Sequence, residues 1–368
     1  MSQTTSRRPL LAAALSLPLL SAQAEAPPDN ATLAFKYLDY QDSQPGANRV
    51  RVTAPEVSLM TPVGQAWSLS ANHIVDSITG ASPAYHTEAL IRLHDQRRAS
   101  DISMTHYSEL TTATIGASYS AEADYVSRGL SLAGTLSTED KNTTWNAGLN
   151  VLHDTIDPSN QIVSNERKNV LDLSLGWTQV LSTHDLAQLL FGYSRGRGYF
   201  SDPYKVFDQR PRTRKHSTVL LRWNHHLESS GGTSRLSYRY YQDSFAIHAH
   251  TLTAEYVQPL AGGWTLTPQL RLYSQSAADF YVEHDISSDP FPTNPPVTAS
   301  YYTEEQRLAA YGARTLGLTV SKKLGLWSVD LRGQHYEQRS NWSWFGSGSR
   351  NLAPFRARIV QFAVTRQF

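Results

Sequence analysis

The chain has 368 residues, with 33 Lys and Arg against 32 Asp and Glu, a formal net charge of +1, and no cysteine. The charge balance gives no reason to expect nucleic acid, and the missing thiols exclude disulfides and thiolate metal sites. A mean hydropathy of −0.41 is that of a soluble protein, and equally that of a barrel in which only alternate residues meet lipid.

At the N-terminus, Arg7 and Arg8 precede an apolar stretch from Leu10 to Leu20 and the small-residue site Ala22-Gln23-Ala24. This pattern predicts a secretory signal peptide over residues 1–24, leaving 25–368 as one domain. The apolar stretch is too short to anchor in a bilayer and is broken by Pro18. No other stretch approaches the ~18 consecutive apolar residues of a membrane helix.

Beyond residue 24 the chain alternates with period two in segments of about ten residues. Short turns fall at 61–65, near 110–111, and at 137–142, 182–185, 228–232, 259–263 and 322–325. Longer connections fall at 76–100, 154–167, 196–212, 277–305 and 339–354, with shorter ones of the same set at 41–48, 120–125 and 243–247. Seven short turns and eight other connections join sixteen strands. The pattern predicts an all-β, transmembrane antiparallel barrel of the bacterial outer membrane. Short turns and both ends of the processed chain would face the periplasm, and long loops the exterior.

Tryptophan supplies a second line of argument. Trp67, Trp145, Trp264 and Trp327 come just after a short turn, and Trp177 and Trp223 just before one. Six of eight tryptophans thus fall at one rim, the place of an interfacial aromatic girdle. Core tryptophans of a soluble β-sandwich would not cluster in this way.

Parity then assigns faces. Leu33, Phe35 and Tyr37 are expected toward lipid on the first strand, and Leu236, Tyr238 and Tyr240 on the eleventh. The opposite parity puts Arg222, Arg235, Arg239, Arg271 and Arg332 into the lumen, with the acids Glu56, Asp172, Glu255 and Asp330. Charges at mid-membrane facing lipid would cost ~2–4 kcal/mol. Two consequences are open: opposed charged walls that bias a pore, or cross-strand ion pairs that stiffen the wall, Arg239 with Glu255 being one pair within reach. The final strand places Val360, Phe362 and Val364 on one face and ends on Phe368, the terminal aromatic of an assembly signal read by barrel-assembly machinery. Arg356, Arg358 and Arg366 break its apolar parity; Arg366 is expected to snorkel, and Arg356 and Arg358 either to snorkel or to mark a slip in register.

Among the connections, residues 196–204 are rich in glycine and aromatics and fit either an inward-folded constriction or a surface cap. The 277–305 connection holds Pro290, Pro292, Pro295 and Pro296 with the acids Asp279, Glu283, Asp285 and Asp289, and reads as an irregular loop. His248 and His250 share one strand face, and His225 and His226 take opposite faces. A metal site needs three or four converging ligands, and no further ligand is fixed by spacing, so no metal or other cofactor is expected. The nominal catalytic sets, Asp76 with Ser82 and His86, and Asp243 with His248, share only sequence proximity.

Several long strings carry a family resemblance: Val75-Asp76-Ser77-Ile78-Thr79-Gly80-Ala81-Ser82-Pro83-Ala84-Tyr85-His86, then Ser194-Arg195-Gly196-Arg197-Gly198-Tyr199-Phe200-Ser201-Asp202-Pro203-Tyr204-Lys205. Leu221-Arg222-Trp223-Asn224-His225-His226, Ser237 to Phe245, and Pro354 to Arg358 complete the pattern. In these the chain resembles a Gram-negative outer-membrane family of unknown function, domain of unknown function 3570. The resemblance implies no catalytic residues. It implies a place beside periplasmic redox or flavin-transfer proteins.

The sequence is therefore expected to encode a porin-like channel or transport component for small polar solutes, with outer-membrane lipid around it. A non-conducting envelope scaffold beside a redox or flavinylation system is the alternative, and a rim-active hydrolase the third reading.

Overall fold

The computed structural model describes residues 26–81, 92–205, 207–283 and 298–368. The expected signal peptide, Ser82 and His86 lie outside the described residues. In chain order the strands are β1 (Thr32–Gln44), β2 (Ala47–Val63), β3 (Trp67–Ala81), β4 (Arg92–Tyr107), β5 (Thr111–Ala121), β6 (Tyr125–Ser137), β7 (Thr143–Ile156), β8 (Glu166–Val180), β9 (Asp185–Gly198), β10 (Asp208–Gln209), β11 (Thr213–Leu227), β12 (Gly232–Asp243), β13 (His248–Leu260), β14 (Trp264–Gln275), β15 (Tyr302–Thr303), β16 (Tyr311–Leu324), β17 (Trp327–Arg339) and β18 (Phe355–Gln367). Sixteen of them form one closed antiparallel barrel, and β10 and β15 pair with each other outside its wall.

Closure is made by β1 against β18, in register from Thr32 opposite Gln367 to Ser43 opposite Arg356. Phe368 extends this seam, its backbone N–H donating to the Ala31 carbonyl at 3.0 Å. A closed ladder leaves no edge, which is the condition for β structure to cross hydrocarbon. The short connections need tight reversals, and Gly64 and Gly325 supply them with φ of 65° and 60°, where a side chain would be strained.

The wall is apolar outside. Ile115, Leu132, Leu149 and Leu173 stand opposite one another across β5 to β8. Leu130 and Leu175 are 61% and 60% exposed. A continuous belt of this kind would aggregate in water and is stable against lipid tails. The buried apolar clusters lie elsewhere, around Phe245, Ile247, Ala278 and Leu308, and around Ala309, Tyr311, Ala313 and Leu352. Both sit at the long-loop end of the barrel.

The barrel strands run from 11 to 17 residues, and all but β5 exceed the roughly 9–11 residues that a crossing requires. The stretch 76–100, expected as a loop, is largely strand: β3 continues to Ala81 and β4 begins at Arg92. Hairpin pairing satisfies backbone groups whether or not lipid is present, so the ladder continues past the apolar belt.

Candidate functional site

Register fixes which side chains enter the lumen. On β11 and β12, Leu220 stands opposite Arg239, Arg222 opposite Ser237 and Asn224 opposite Arg235. Arg235 is in turn opposite Glu255, Thr253 opposite Arg271, and Thr319 opposite Arg332. These positions share the parity opposite to the apolar belt, so the five arginines form a basic strip across β11 to β17. Glu56, Asp172 and Asp330 have the same inward parity.

The acids of the lumen are held by wall donors. Lys36 Nζ donates to Glu56 at 2.8 Å, Asn150 to Asp172 at 3.2 Å and Gln269 to Glu255 at 2.6 Å, while Ser321 bonds Asp330. The pairing of Arg239 with Glu255 considered from sequence does not form, because register places Arg235 and not Arg239 opposite Glu255. Of these acids only Glu56 gains an ion pair, and the arginines likewise meet neutral partners or none. Arg332 donates to Gln269 at 2.9 Å, a neutral partner. Arg222, Arg235, Arg239 and Arg271 make no ion pair among the described residues, and the Nε of Arg239 is buried without a hydrogen-bond partner there. A buried guanidinium N–H without an acceptor is costly. The strip thus presents unneutralised positive charge and open donors to whatever enters.

Above the strip, the long loops fold over the mouth. Gly196 faces inward, and a Cβ there would lie 2.6 Å from the ring of Phe200, which itself stacks edge-on to Phe245 at 6.4 Å. The glycine- and aromatic-rich 196–204 stretch is therefore folded inward. Gln275, buried on β14, donates to the carbonyls of Arg307 and Ala309 at 3.0 and 2.7 Å. The two loops join through β10 and β15, and Thr303 donates to Asp208 at 2.7 Å. Buried Glu305 draws Lys205 at 3.1 Å and Arg307 at 2.9 Å, with Arg210 at 4.0 Å. Tyr204 reaches Asp124 at 3.0 Å, and Gln44 reaches Gln306 at 3.2 Å. The result is a lid tied to hairpins around the rim.

Sequence reasoning offered the inward fold of 196–204 as one of two readings but missed its tie to the loop before β16, because loops lack the alternation that marks strands. It also missed the lumen pairs made by Asp76 with Arg97, by Asp154 with Lys168 at 3.0 Å, and by Asp243 with Arg214. The inward parity of Asp154 and Asp243 at strand ends was the available signal.

The remaining candidates take separate places. Asp76 lies within β3 and pairs with Arg97. Asp243 faces inward and accepts from Arg214 and Tyr241, whereas His248 and His250 face outward and bond Tyr240 at 2.8 Å and Tyr238 at 2.7 Å. His225 bonds Asp185 at 2.8 Å, and His226 is 3.3 Å from Thr233. Trp67, Trp145, Trp223, Trp264 and Trp327 are exposed on the outer face near the short-turn rim, and Trp177 lies beside Trp145 with ring centroids 6.3 Å apart and planes tilted by 38°. Arg366 lies over the rings of Trp327 at 5.1 Å and Phe368 at 4.5 Å, which keeps its charge at that rim. Arg356 is held by Glu337 at 3.3 Å, and Arg358 reaches Gln41 at 3.4 Å.

Solved structures share the architecture. A bacterial polysaccharide outer membrane secretin aligns with a TM-score of 0.55 at 9% identity, covering 92% of this chain and 98% of that one. The siderophore receptor PirA from Pseudomonas aeruginosa aligns with a TM-score of 0.49 at 8% identity, over 93% and 81% of the two chains. OccK2 from the same organism, in complex with glucuronate, gives 0.48 at 9% identity, over 92% and 98%. At 9% identity the likeness to the secretin shows the fold alone, that of an outer-membrane β-barrel. No curated protein matches the sequence. The family model described as protein of unknown function (DUF3570) matches residues 87–362, and the chain belongs to that family.

Proposed function

We propose that the protein is an outer-membrane channel that passes small anionic solutes, such as carboxylates and phosphates. In this reading the short turns and both ends of the processed chain face the periplasm. The observation that carries the proposal is the uneven charge of one wall: Arg222, Arg235, Arg239, Arg271 and Arg332 face the lumen across β11 to β17 without an ion pair among the described residues, against the unpaired acids Glu255 and Asp330. In a narrow pore with low-dielectric walls, such a strip concentrates anions and orients them through guanidinium forks. The lid around Glu305 narrows the entrance and sets the size limit.

Purified protein in a planar bilayer under a salt gradient tests this. The expected result is a current whose reversal potential has the sign of anion preference. Cation preference would overturn the assignment of the strip. A second reading, a non-conducting envelope scaffold for periplasmic redox or flavin-transfer partners, draws support only from the apolar clusters at the long-loop end of the barrel. It expects no current, from the native protein or from variants with a loosened lid.

A further inference from the structure

The outer face of the barrel treats its cations in two ways. Near the long-loop rim of β16 to β18, Arg314, Arg339 and Arg356 converge on the buried carboxylate of Glu337, at 2.8, 2.6 and 3.3 Å. On the adjoining β1 and β2, Arg51 pairs with Asp39. Here the protein supplies its own counter-charges.

On the opposite side it does not. Arg128, His153, Asn169 and Arg197 stand opposite one another in a single outward row across β6 to β9. The next outward row toward the short-turn rim runs Leu130, Val151, Leu171 and Arg195, and continues to Lys215 on β11. The acids of this region, Asp154, Glu166 and Asp172, have the inward parity. Among the described residues none of Arg128, Arg195, Arg197 and Lys215 has an ion-pair partner, and the Nε of Arg195 is buried without an acceptor there. His153 is occupied by Asn169 at 2.7 Å. From Arg128 to Arg197 and from Leu130 to Arg195 the two rows line a groove of about 610 Å³ on the wall, and Lys215 lies next to Arg195 beyond it. Its floor continues into the apolar belt through Leu132, Leu149 and Leu173.

Basic groups above and an apolar track below match the two ends of a membrane lipid. Three strand spacings separate Arg128 from Arg197, about 14 Å, which is wider than one phosphate and fits a headgroup carrying two. Guanidinium groups bind phosphate oxygens through paired N–H donors, and their stems can lie along apolar surface while the charge stays at headgroup depth. We propose that this groove is a binding site for the phosphorylated headgroup of a lipid in the leaflet level with the long-loop rim, with its acyl chains on the Leu132–Leu149–Leu173 belt. The inference rests on the barrel spanning a membrane and is independent of conduction.

The test is native mass spectrometry of the folded full-length protein released from neutral detergent, with bisphosphorylated lipid A as the probe. The lipid should remain bound, and its dephosphorylated form should bind at least about tenfold more weakly. The combined variant Arg128→Gln, Arg195→Gln, Arg197→Gln and Lys215→Gln should show the same loss while its bilayer conductance stays at the native level. Equal retention of the dephosphorylated lipid, or full retention by the folded variant, would overturn the site. Displacement of the lipid by millimolar inorganic phosphate would reassign it to free anion. If the variant does not fold, the comparison of the two lipids on native protein decides alone.

Discussion

Lys205 Nζ lies 3.1 Å from Glu305, a buried ion pair between the loop that follows β9 and the loop that precedes β16. Arg307 and Arg210 approach the same carboxylate, so one acid gathers the cations of two loops. Removing one partner of a buried pair costs about 3–5 kcal/mol, because the other charge is left uncompensated. Glu305→Gln is expected to place that loss on the lid and not on the wall, whose ladder it does not touch. Limited proteolysis should cut the variant between residues 199 and 212 faster than the native protein, and single-channel conductance should rise. An unchanged cutting rate would show that Glu305 does not hold the lid.

The basic strip makes a separate claim. Arg239 and Arg271 stand near mid-strand on β12 and β14, where a charge in the lumen acts most strongly on a passing ion. The double variant Arg239→Gln and Arg271→Gln is expected to lower the anion-to-cation permeability ratio by at least about half, read from the reversal potential under a potassium chloride gradient. Because neither arginine has an ion pair to lose, the thermal unfolding midpoint should move little. A large destabilisation with selectivity unchanged would make them structural.

A pH dependence follows from Glu122, in the short connection between β5 and β6. Burial raises its carboxyl from the usual 4.5 to about 8, with Asp124, Asp95 and Asp76 adding to the shift and Arg97 opposing it. The folded hairpin therefore prefers the neutral acid. Its contribution to stability is fully present below pH 4.5 and is lost as pH rises through about 8. Amide hydrogen exchange at 121–126, corrected for intrinsic rate, should be faster at pH 9 than at pH 6, and Glu122→Gln should flatten the difference. Equal protection of the native protein at both pH values would remove the effect.

Phe368 closes the seam, and its ring carries the Arg366 guanidinium at 4.5 Å. Deleting it removes the N–H that bonds Ala31 and the terminal aromatic that barrel-assembly machinery is expected to engage. The heat-modifiable, folded fraction in isolated membranes should fall severalfold, while the protein that does fold keeps native conductance. Undiminished assembly would mean that the terminus is not a recognition element.

Strand number, strand faces and turn asymmetry were legible because lipid imposes a strict rule. Each side chain on a spanning strand meets either hydrocarbon or the lumen, so period two has to be written into residues such as Leu33, Phe35 and Tyr37. Asp76 was misplaced in a loop for the complementary reason: beyond the apolar belt both faces of a hairpin meet water, alternation of hydropathy fades, and pairing continues without a signature. The basic strip of the lumen was half legible. Parity gave Arg239 and Glu255 the same face, but which of them pair depends on register across β12 and β13, and a shift of two residues preserves every face while changing every partner.

What the sequence by itself determined is the solvent on each side of the wall and the closure of the barrel at Phe368, since both follow from local alternation and counting. What only the tertiary structure decided is which charges are neutralised and what covers the mouth. Tyr204 meets Asp124 across 80 positions and Gln44 meets Gln306 across 262. Contacts at that separation leave no periodic trace in the chain. They exist because closing the barrel brings the ends of distant hairpins to one rim.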